Sequence, residues 1–253
     1  MLLQDKVAVI YGAGGAVGGA VARAFGAEGA RVFLSGRTLG PVEAVAQEIV
    51  AAGGSAEAAQ VDALDEEAVD RHADRVAEQA GGIDVSFNAI GIHAVQGTPL
   101  TELALSDFAF PITTWPSTQF LTARAAARHM VAKRKGVIIT LTASPARLAI
   151  PGAGGFGVAC AAIEALTRTL AAELGPHGVR VVCLEPHRIG DSGSTADPRS
   201  EEADFRKFLE EMTLLKRLPT LAEVAHTAVF LASDHAAAMT GAVANLTGGM
   251  SVD

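Results

Sequence analysis

The chain has only one tyrosine, Tyr11, among its 253 residues. Because Tyr11 lies in the first apolar segment, no tyrosine is available as an acid or base at any downstream position. Cysteine is also scarce, since Cys160 and Cys183 are too few for a disulfide framework and lack the spacing of a zinc site. We expect both thiols to be small buried hydrophobic groups. The seven histidines are scattered without metal-ligand intervals, so no metal site is predicted.

Positive charge is in deficit. Lysine and arginine total 20 against 28 aspartates and glutamates, which gives a net charge of -8. This balance disfavours nucleic acid or an anionic membrane as a partner. Residues 1–6 lead directly into an apolar strand without a signal-type segment, and we find no apolar run long enough to cross a bilayer uninterrupted. We therefore expect a cytoplasmic protein whose partner is an unidentified small-molecule substrate, with neither nucleic acid nor membrane bound.

Short β-rich segments alternate with alanine-rich segments of helical period. Strands are predicted at residues 7–11, 31–35, 56–61, 85–88, 137–142, 179–184 and 242–246. Helices are predicted to begin near Ala16, Pro41, Glu66, Trp115, Gly154 and Thr220. Near-continuous apolar strands such as residues 137–139 need cover on both faces, which indicates a parallel sheet between two helical layers. Because 49% of the residues are hydrophobic and no linker interrupts the pattern, we predict a single α/β domain over residues 1–253.

Glycine is concentrated where the first predicted strand passes into the first predicted helix. Small residues in this turn let the backbone approach a pyrophosphate, and free N–H groups at the helix start favour its negative charge. An acidic residue, Asp62, ends a later strand, in the order that a dinucleotide site requires. The alternative is an ordinary tight turn. The combined order predicts a Rossmann-type doubly wound parallel sheet, with helices on both faces and a cofactor turn formed by Gly12, Gly14, Gly15, Ala16, Val17 and Gly18.

The turn resembles a motif of the short-chain dehydrogenase/reductase family. Gly12-x-x-x-Ala16-x-Gly18 is similar to the family's Gly-x-x-x-Gly-x-Gly, with Tyr11 in place of the usual threonine. Residues 88–91, Asn-Ala-Ile-Gly, resemble its Asn-Asn-Ala-Gly strand end, and residues 164–180 and 223–241 resemble its central helix, following strand and C-terminal pattern. The likeness therefore spans nearly the whole chain. It implies further cofactor contacts from Asp62, Ala63, Asn88, Ala89, Gly91 and Pro186.

The end of the second predicted strand bears on the choice of cofactor. NAD-selective sites of this fold place an acid there to bind the ribose hydroxyls, but this chain has Gly36 followed by Arg37. The Arg37 guanidinium is suited to a 2'-phosphate. We therefore expect NADP to be preferred over NAD, the alternative being that Arg37 is a solvated residue at the start of a loop.

The catalytic pattern that the resemblance implies is altered. The family's Tyr-x-x-x-Lys aligns with Phe156 and Cys160, so neither the phenol nor the ammonium is present. Its serine aligns with Ala143, and its helix asparagine with Trp115. A positioned general acid contributes about 10² to 10⁴ in rate, so the usual ketoreductase mechanism is not expected here.

Other residues are candidates for replacing these groups. Thr142 and Ser144 flank Ala143 at the end of the fifth predicted strand, before Pro145. The hydroxyl of either residue could polarise a carbonyl or simply bond to local backbone. His187, in Pro186-His187 where the family has Pro-Gly, and His93, beyond Gly91, are candidate acids. The alternative for both histidines is an incidental place in an exposed loop.

Three functions follow from these observations. The chain is an oxidoreductase with relocated catalytic groups and an atypical active centre, a cofactor-binding regulatory or structural subunit without turnover, or a non-redox enzyme on the same scaffold. Residues 190–215 have the composition of a mobile substrate lid, without readable specificity. The resemblance also implies a homotetramer or homodimer formed through the alanine-rich central helices.

Overall fold

The computed structural model describes residues 1–193 and 201–252. These residues form seven β-strands, namely β1 (Val7–Tyr11), β2 (Arg31–Gly36), β3 (Ser55–Gln60), β4 (Val85–Asn88), β5 (Gly136–Leu141), β6 (Val179–Pro186) and β7 (Val243–Leu246). They also form seven α-helices, namely α1 (Ala16–Ala27), α2 (Leu39–Ala51), α3 (Glu66–Ala80), α4 (Leu105–Lys133), α5 (Gly154–Leu174), α6 (Glu201–Met212) and α7 (Leu221–Ala232). All strands pair in parallel in one sheet of order β3-β2-β1-β4-β5-β6-β7.

Helices cover both faces of the sheet. Helices α1, α2 and α7 pack on one face, against alternate strand residues such as Ile10 and Leu34. Helices α3, α4 and α5 pack on the other face, against residues such as Val9 and Val181. Successive side chains of a strand point to opposite faces, so a sheet covered twice needs apolar residues at nearly every strand position. The predicted doubly wound α/β architecture is confirmed.

The boundaries of α4 differ from the sequence prediction, which begins this helix near Trp115. The helix begins at Leu105 and contains Pro111 and Pro116, residues that normally end a helical pattern. It continues through both because it is held along its length by α5, α3 and the sheet. The strand predictions agree with the structure to within two residues.

The predicted lid, residues 190–215, is only partly covered by the structure. Residues 194–200 lie outside the described residues. The rest includes α6, which the sequence analysis does not predict, and the guanidinium of Arg206 in α6 donates to the Gly190 carbonyl at 2.9 Å. Whether this segment acts as a lid stays a prediction.

One helical stretch within the described part of the chain, Gly154–His177, is long and apolar enough to cross a membrane. The sequence analysis finds no such run. In the fold this stretch packs against α4 and β6. A buried core helix of a soluble protein can be equally long and apolar. Its apolar composition is therefore explained by its place between neighbouring elements.

The strand order reverses between β1 and β4. From β1 the chain proceeds outward to β2 and β3, then returns to the other side of β1 with β4. Tyr11, the last residue of β1, pairs with Ser35 on one side and Asn88 on the other. The loops that follow these strand ends diverge and open a crevice, which is where ligands bind in open α/β sheets.

Candidate active site

A cleft with a volume of about 560 Å³ lies at this reversal point. It is bounded by the carboxyl ends of β1 and β2, by the segments after β3 and β4, and by one side of α4. We call it the switch-point cleft. Among the residues predicted from sequence, its lining includes Gly12, Gly15, Arg37, Asp62, Ala63, Ala89, Gly91 and His93.

The glycine-rich turn is built for close backbone approach. Gly12 has a φ of +78°, in the left-handed region that favours glycine. A Cβ atom there would lie 2.9 Å from the backbone carbon of Ala89. At Gly18 a Cβ atom would overlap the Gly12 carbonyl and lie 2.8 Å from its carbon. Glycine at these two positions lets the start of α1 rest directly on the end of β1.

The start of α1 faces open space. Gly14, Gly15 and Ala16 are exposed, and the N-cap residue Gly15 provides no side-chain cap. The first N–H groups of a helix have no partner within the helix and carry its positive end. A phosphate group is the kind of ligand that such a helix start binds. The turn therefore fits the pyrophosphate of a dinucleotide.

Arg37 and Asp62 stand at the outer wall of the switch-point cleft. Both are exposed, so the Arg37 guanidinium can reach a ligand in the cleft. The backbone carbonyl of Arg37 accepts from the Gln60 side chain at 2.9 Å, and the Asp62 carboxylate accepts from the Leu64 N–H at 3.0 Å. The first bond links the segments after β2 and β3, and the second fixes the segment that bears Asp62. The cleft thus has one cationic and one anionic side chain at its rim.

The Asn88 side chain is used for hydrogen bonds within the protein. It is buried, its amide donates to the Thr118 carbonyl and to the Thr122 hydroxyl, and its side-chain oxygen accepts from the Ile90 N–H. These bonds leave the amide group fully engaged and join the end of β4 to α4. Asn88 therefore shapes the floor of the cleft, while the exposed Gly91 beyond it leaves the cleft open.

Phe156 and Trp115 stack on one another beside the switch-point cleft. Their ring centroids are 5.3 Å apart and their planes differ by 7°. The Trp115 indole also donates to the Ile90 carbonyl at 2.7 Å, so its N–H is already occupied. The pair is an apolar wall between α4 and α5.

Cys160 has no acid–base role available. It is fully buried, and burial raises the pKa of its thiol to about 12. The Thr142 hydroxyl donates to the Cys160 carbonyl at 2.9 Å, so this threonine is tied to α5. Both cysteines are free, buried thiols, as expected from the sequence.

Ser144 and His187 are brought together by the fold. Ser144 begins a short 3-10 turn after β5, His187 follows β6, and the Ser144 Oγ lies 2.6 Å from the His187 Nδ1. Burial, with a smaller contribution from the Arg188 charge, lowers the pKa of His187 below its usual value. The other ring nitrogen, Nε2, is buried and has no hydrogen-bond partner among residues 1–193 and 201–252. This leaves one imidazole nitrogen oriented by a serine and the other unengaged.

Two further predicted residues, His93 and Pro186, lie outside this hydrogen bond. His93 is exposed in the lining of the switch-point cleft, on the segment after β4. Pro186 is buried at the end of β6. The Asp191 carboxylate accepts from the Leu221 N–H at 2.7 Å and so binds the first turn of α7. Asp191, which the sequence analysis does not single out, thus joins the segment after β6 to α7.

A buried ion-pair cluster beneath Ser144 and His187 is missed by the sequence analysis. The Arg147 Nε lies 3.2 Å from a Glu164 carboxylate oxygen and 3.4 Å from one of Glu185. The Glu185 side chain is 0% exposed and that of Glu164 is 8% exposed. A glutamate inside the apolar strand β6 is the signal that could have indicated this cluster, because a buried carboxylate needs a partner.

No group of three potential metal ligands is found within the described part of the chain. The polar groups at this end of the sheet are instead hydroxyl, imidazole and ion-paired side chains. The arrangement suits proton transfer and binding of an organic ligand.

Comparison with known proteins gives one family. A family profile described as Enoyl-(Acyl carrier protein) reductase matches residues 12–251. An uncharacterized oxidoreductase of Mycobacterium tuberculosis is 33% identical over 98% of this chain and 93% of its own length. A 3-oxoacyl-(acyl-carrier-protein) reductase of Synechocystis is 32% identical over 98% of each chain.

Solved structures agree with this assignment. A short-chain dehydrogenase/reductase from Serratia marcescens has a TM-score of 0.88 and 26% sequence identity, and 100% of each chain is covered. A dehydrogenase/reductase from Sinorhizobium meliloti has a TM-score of 0.85 and 29% identity over 99% of this chain and 96% of its own. The likeness covers sequence and fold over nearly the full length.

Proposed function

The chain belongs to the short-chain dehydrogenase/reductase family, and on that premise we propose that it is an NAD(P)-dependent oxidoreductase in which His187 transfers the proton. The substrate class is a small-molecule carbonyl compound or the corresponding alcohol. The observation that carries the proposal is the Ser144–His187 hydrogen bond of 2.6 Å. It gives this chain an oriented proton-transfer group, although Phe156 and Cys160 have no titratable group suited to the task.

The residues present fit a nicotinamide dinucleotide. Glycine at 12 and 18 lets the end of β1 and the start of α1 pack closely, which leaves the exposed Gly14, Gly15 and Ala16 at the helix start, and this uncapped start of α1 suits a pyrophosphate. Asp62, Ala63, Ala89 and Gly91 would line the nucleoside side of the cleft. When bound, the nicotinamide supplies or accepts the hydride.

We further propose that NADP is preferred over NAD. Arg37 is exposed at the rim of the switch-point cleft, where its guanidinium could pair with a 2'-phosphate. An acid in place of Gly36 would be obstructed, because a Cβ atom there would lie 2.9 Å from the Val42 Cγ2 atom. This geometry supports the inference from sequence.

We propose that His187 accepts or donates the transferred proton at its Nε2 atom. Ser144 is 1% exposed, so its role is to orient the ring through Nδ1, and the tautomer whose Nδ1–H donates to the Ser144 hydroxyl leaves Nε2 able to accept a proton. Burial disfavours the charged imidazolium, so the ring is neutral near pH 7 and can accept a proton from an alcohol. In the reduction direction the protonated ring is the donor, so reduction should accelerate as the pH falls toward the lowered pKa of His187.

A panel of ketones, aldehydes and alcohols with NADPH and NADP⁺ tests this proposal. We expect His187→Gln to lower kcat by about 10² or more without a change in cofactor affinity, and Ser144→Ala to lower it less. His177→Gln, at an exposed histidine outside the cleft, is the matched control. Unchanged kcat in His187→Gln, or an equal loss in His93→Gln alone, would show that the donor is another residue.

The second candidate is a cofactor-binding protein without turnover. The stacked Trp115 and Phe156 rings favour it, because they place an apolar wall where a proton donor is expected from the family resemblance. The same panel separates the two functions. Cofactor binding without oxidation or reduction of any compound would support the second.

We also propose a homotetramer or homodimer formed through α4 and α5. The exposed apolar side chains Phe120 and Val158 lie on these helices, and burial of such groups favours association. Sedimentation of the purified wild type should give a dimer or tetramer, and Phe120→Glu should sediment as a smaller species. A monomeric wild type would contradict this proposal.

A further inference from the structure

The short turn that bears Ser144 is joined to the end of β6 by two side-chain links. One is the Ser144–His187 hydrogen bond. The other is the ion pair in which the Arg147 Nε lies 3.4 Å from a Glu185 carboxylate oxygen. Arg147 follows Ser144 by one turn, with its N–H bonded to the Ser144 carbonyl at 3.0 Å, and Glu185 precedes His187 by two residues. The two links therefore connect the same two pieces of backbone.

We propose that Arg147 is a positioning residue, which holds the Ser144 hydroxyl against the His187 ring by pairing with Glu185. The inference rests on the proposed role of His187. Neither Arg147 nor Glu185 needs to touch the substrate for this role.

The two partners of the Arg147–Glu185 pair differ in burial. The Glu185 side chain is 0% exposed and that of Arg147 is 30% exposed, so the carboxylate is held in place while the guanidinium reaches in from the surface. A charge that is buried to this extent is stable only when it is paired. The Glu185 carboxylate therefore draws Arg147, and with it the turn, toward β6.

Glu164, on α5, also pairs with Arg147. Its carboxylate lies 3.2 Å from the same Arg147 nitrogen and 3.5 Å from the Arg168 guanidinium. Arg147 thus connects the turn to α5 as well as to β6. Arg168 contacts Glu164 from an exposed position, with 58% of its side chain accessible, and is well suited as a control because it neutralises the same cluster from outside.

The test uses the full chain with ¹⁵N-labelled histidine, and His187 is assigned by comparison with His187→Gln. In the wild type near pH 7 we expect only the tautomer whose Nδ1–H donates to Ser144, because the other tautomer would bury an N–H at Nε2 without a partner in the described part of the chain. In Arg147→Gln the two tautomers should interconvert. Arg168→Gln should leave the His187 signals unchanged. A single tautomer that persists in Arg147→Gln would overturn the proposal.

Glu185→Gln distinguishes positioning from simple electrostatics. Arg147→Gln removes a cation and Glu185→Gln removes an anion, so a purely electrostatic influence would move the His187 signals in opposite directions. Positioning predicts the same tautomer averaging in both. Should either single variant fail to fold, the double variant Arg147→Gln with Glu185→Gln removes both charges together, and tautomer averaging is again expected. Opposite shifts, or a single tautomer in the double variant, would contradict the proposal.

Kinetics provide a second readout. We expect Arg147→Gln to reduce kcat at least tenfold with an unchanged KM for NADPH, and Arg147→Lys to recover part of the loss because it restores the cation. If the chain has no turnover, the oxidoreductase proposal fails while the NMR test of Arg147 still stands. The failures of the two proposals are therefore distinguishable.

Discussion

At the scale of single residues, the chain keeps its only tyrosine away from the proposed proton-transfer pair, Ser144 and His187. The Tyr11 ring lies edge-on to His72 with centroids 5.8 Å apart, inside the layer formed by α3 and α4. Burial raises the pKa of the Tyr11 phenol, and its hydroxyl has no hydrogen-bond partner in the part of the chain that the structure describes. Tyr11 is therefore a core residue, consistent with its N-terminal position in the sequence.

His72 should make stability depend on pH. It is 3% exposed, and burial lowers its pKa from 6.5 to about 4. Between these values the unfolded chain binds a proton that the folded chain does not, so stability falls as the pH drops below 6.5. Each pKa unit corresponds to about 1.4 kcal/mol, so full protonation of the unfolded chain at His72 lowers the free energy of unfolding by roughly 3 kcal/mol. Urea unfolding of the wild type and His72→Phe at pH 7 and pH 4.5 should show a smaller loss in the variant.

The exposed His177 provides the control for this measurement. His177→Phe should keep the wild-type loss between the two pH values, because this side chain lies outside the core that holds His72. An equal pH dependence in His72→Phe and the wild type would show that His72 is already protonated in the folded chain or accessible to water.

At the scale of elements, the same residue type has opposite roles in two neighbouring helices. Gly18 in α1 rests against the backbone of Gly12, whereas Gly40 in α2 is exposed, and an added Cβ there would meet no residue beyond its chain neighbours. The first glycine is needed for packing between a helix and a strand. The second only lowers helix propensity.

Alanine substitutions should therefore differ in the size of their effect on stability. Gly18→Ala should destabilise the chain by about 1–3 kcal/mol, because the new methyl group overlaps backbone that cannot move easily. Gly40→Ala should change its stability by less than about 1 kcal/mol, because the gain in helix propensity is offset by the restriction that Pro41 places on the residue before it. Thermal or urea unfolding of the two variants gives both values. Similar stability changes in the two would mean that α1 can shift away from β1.

At the scale of the whole molecule, the strand order brings distant segments to one cleft. Arg37 follows β2, Asp62 follows β3 and Gly91 follows β4, yet all three line the switch-point cleft. The opposite charges at its rim suit a ligand that carries a phosphate near one end. Binding should accordingly stabilise the entire domain, because the ligand contacts several strand ends at once.

A comparison of NADPH and NADH tests this view of the cleft. We expect NADPH to bind more tightly, and at about 100 times its Kd to stabilise the fold by roughly 2.7 kcal/mol. Arg37→Ala should remove most of the difference between the two nucleotides, while Arg23→Ala, an exposed arginine on α1 paired with Glu48, should preserve it. Calorimetric titration and thermal unfolding measure both effects. Equal affinities in the wild type would argue that Arg37 is only a solvated side chain.

Much of this protein follows from local sequence. Hydrophobic periodicity predicts the alternation of strands and helices, and the glycines at 12 and 18 predict the turn, because these signals depend on residues close together in the chain. Tertiary structure decides the rest. Ser144 and His187 are 43 residues apart, and only the pairing of β5 with β6 brings them into contact. The continuation of α4 through two prolines and the burial of Glu185 beside Arg147 likewise depend on packing, since their free energy comes from neighbours that no local pattern contains.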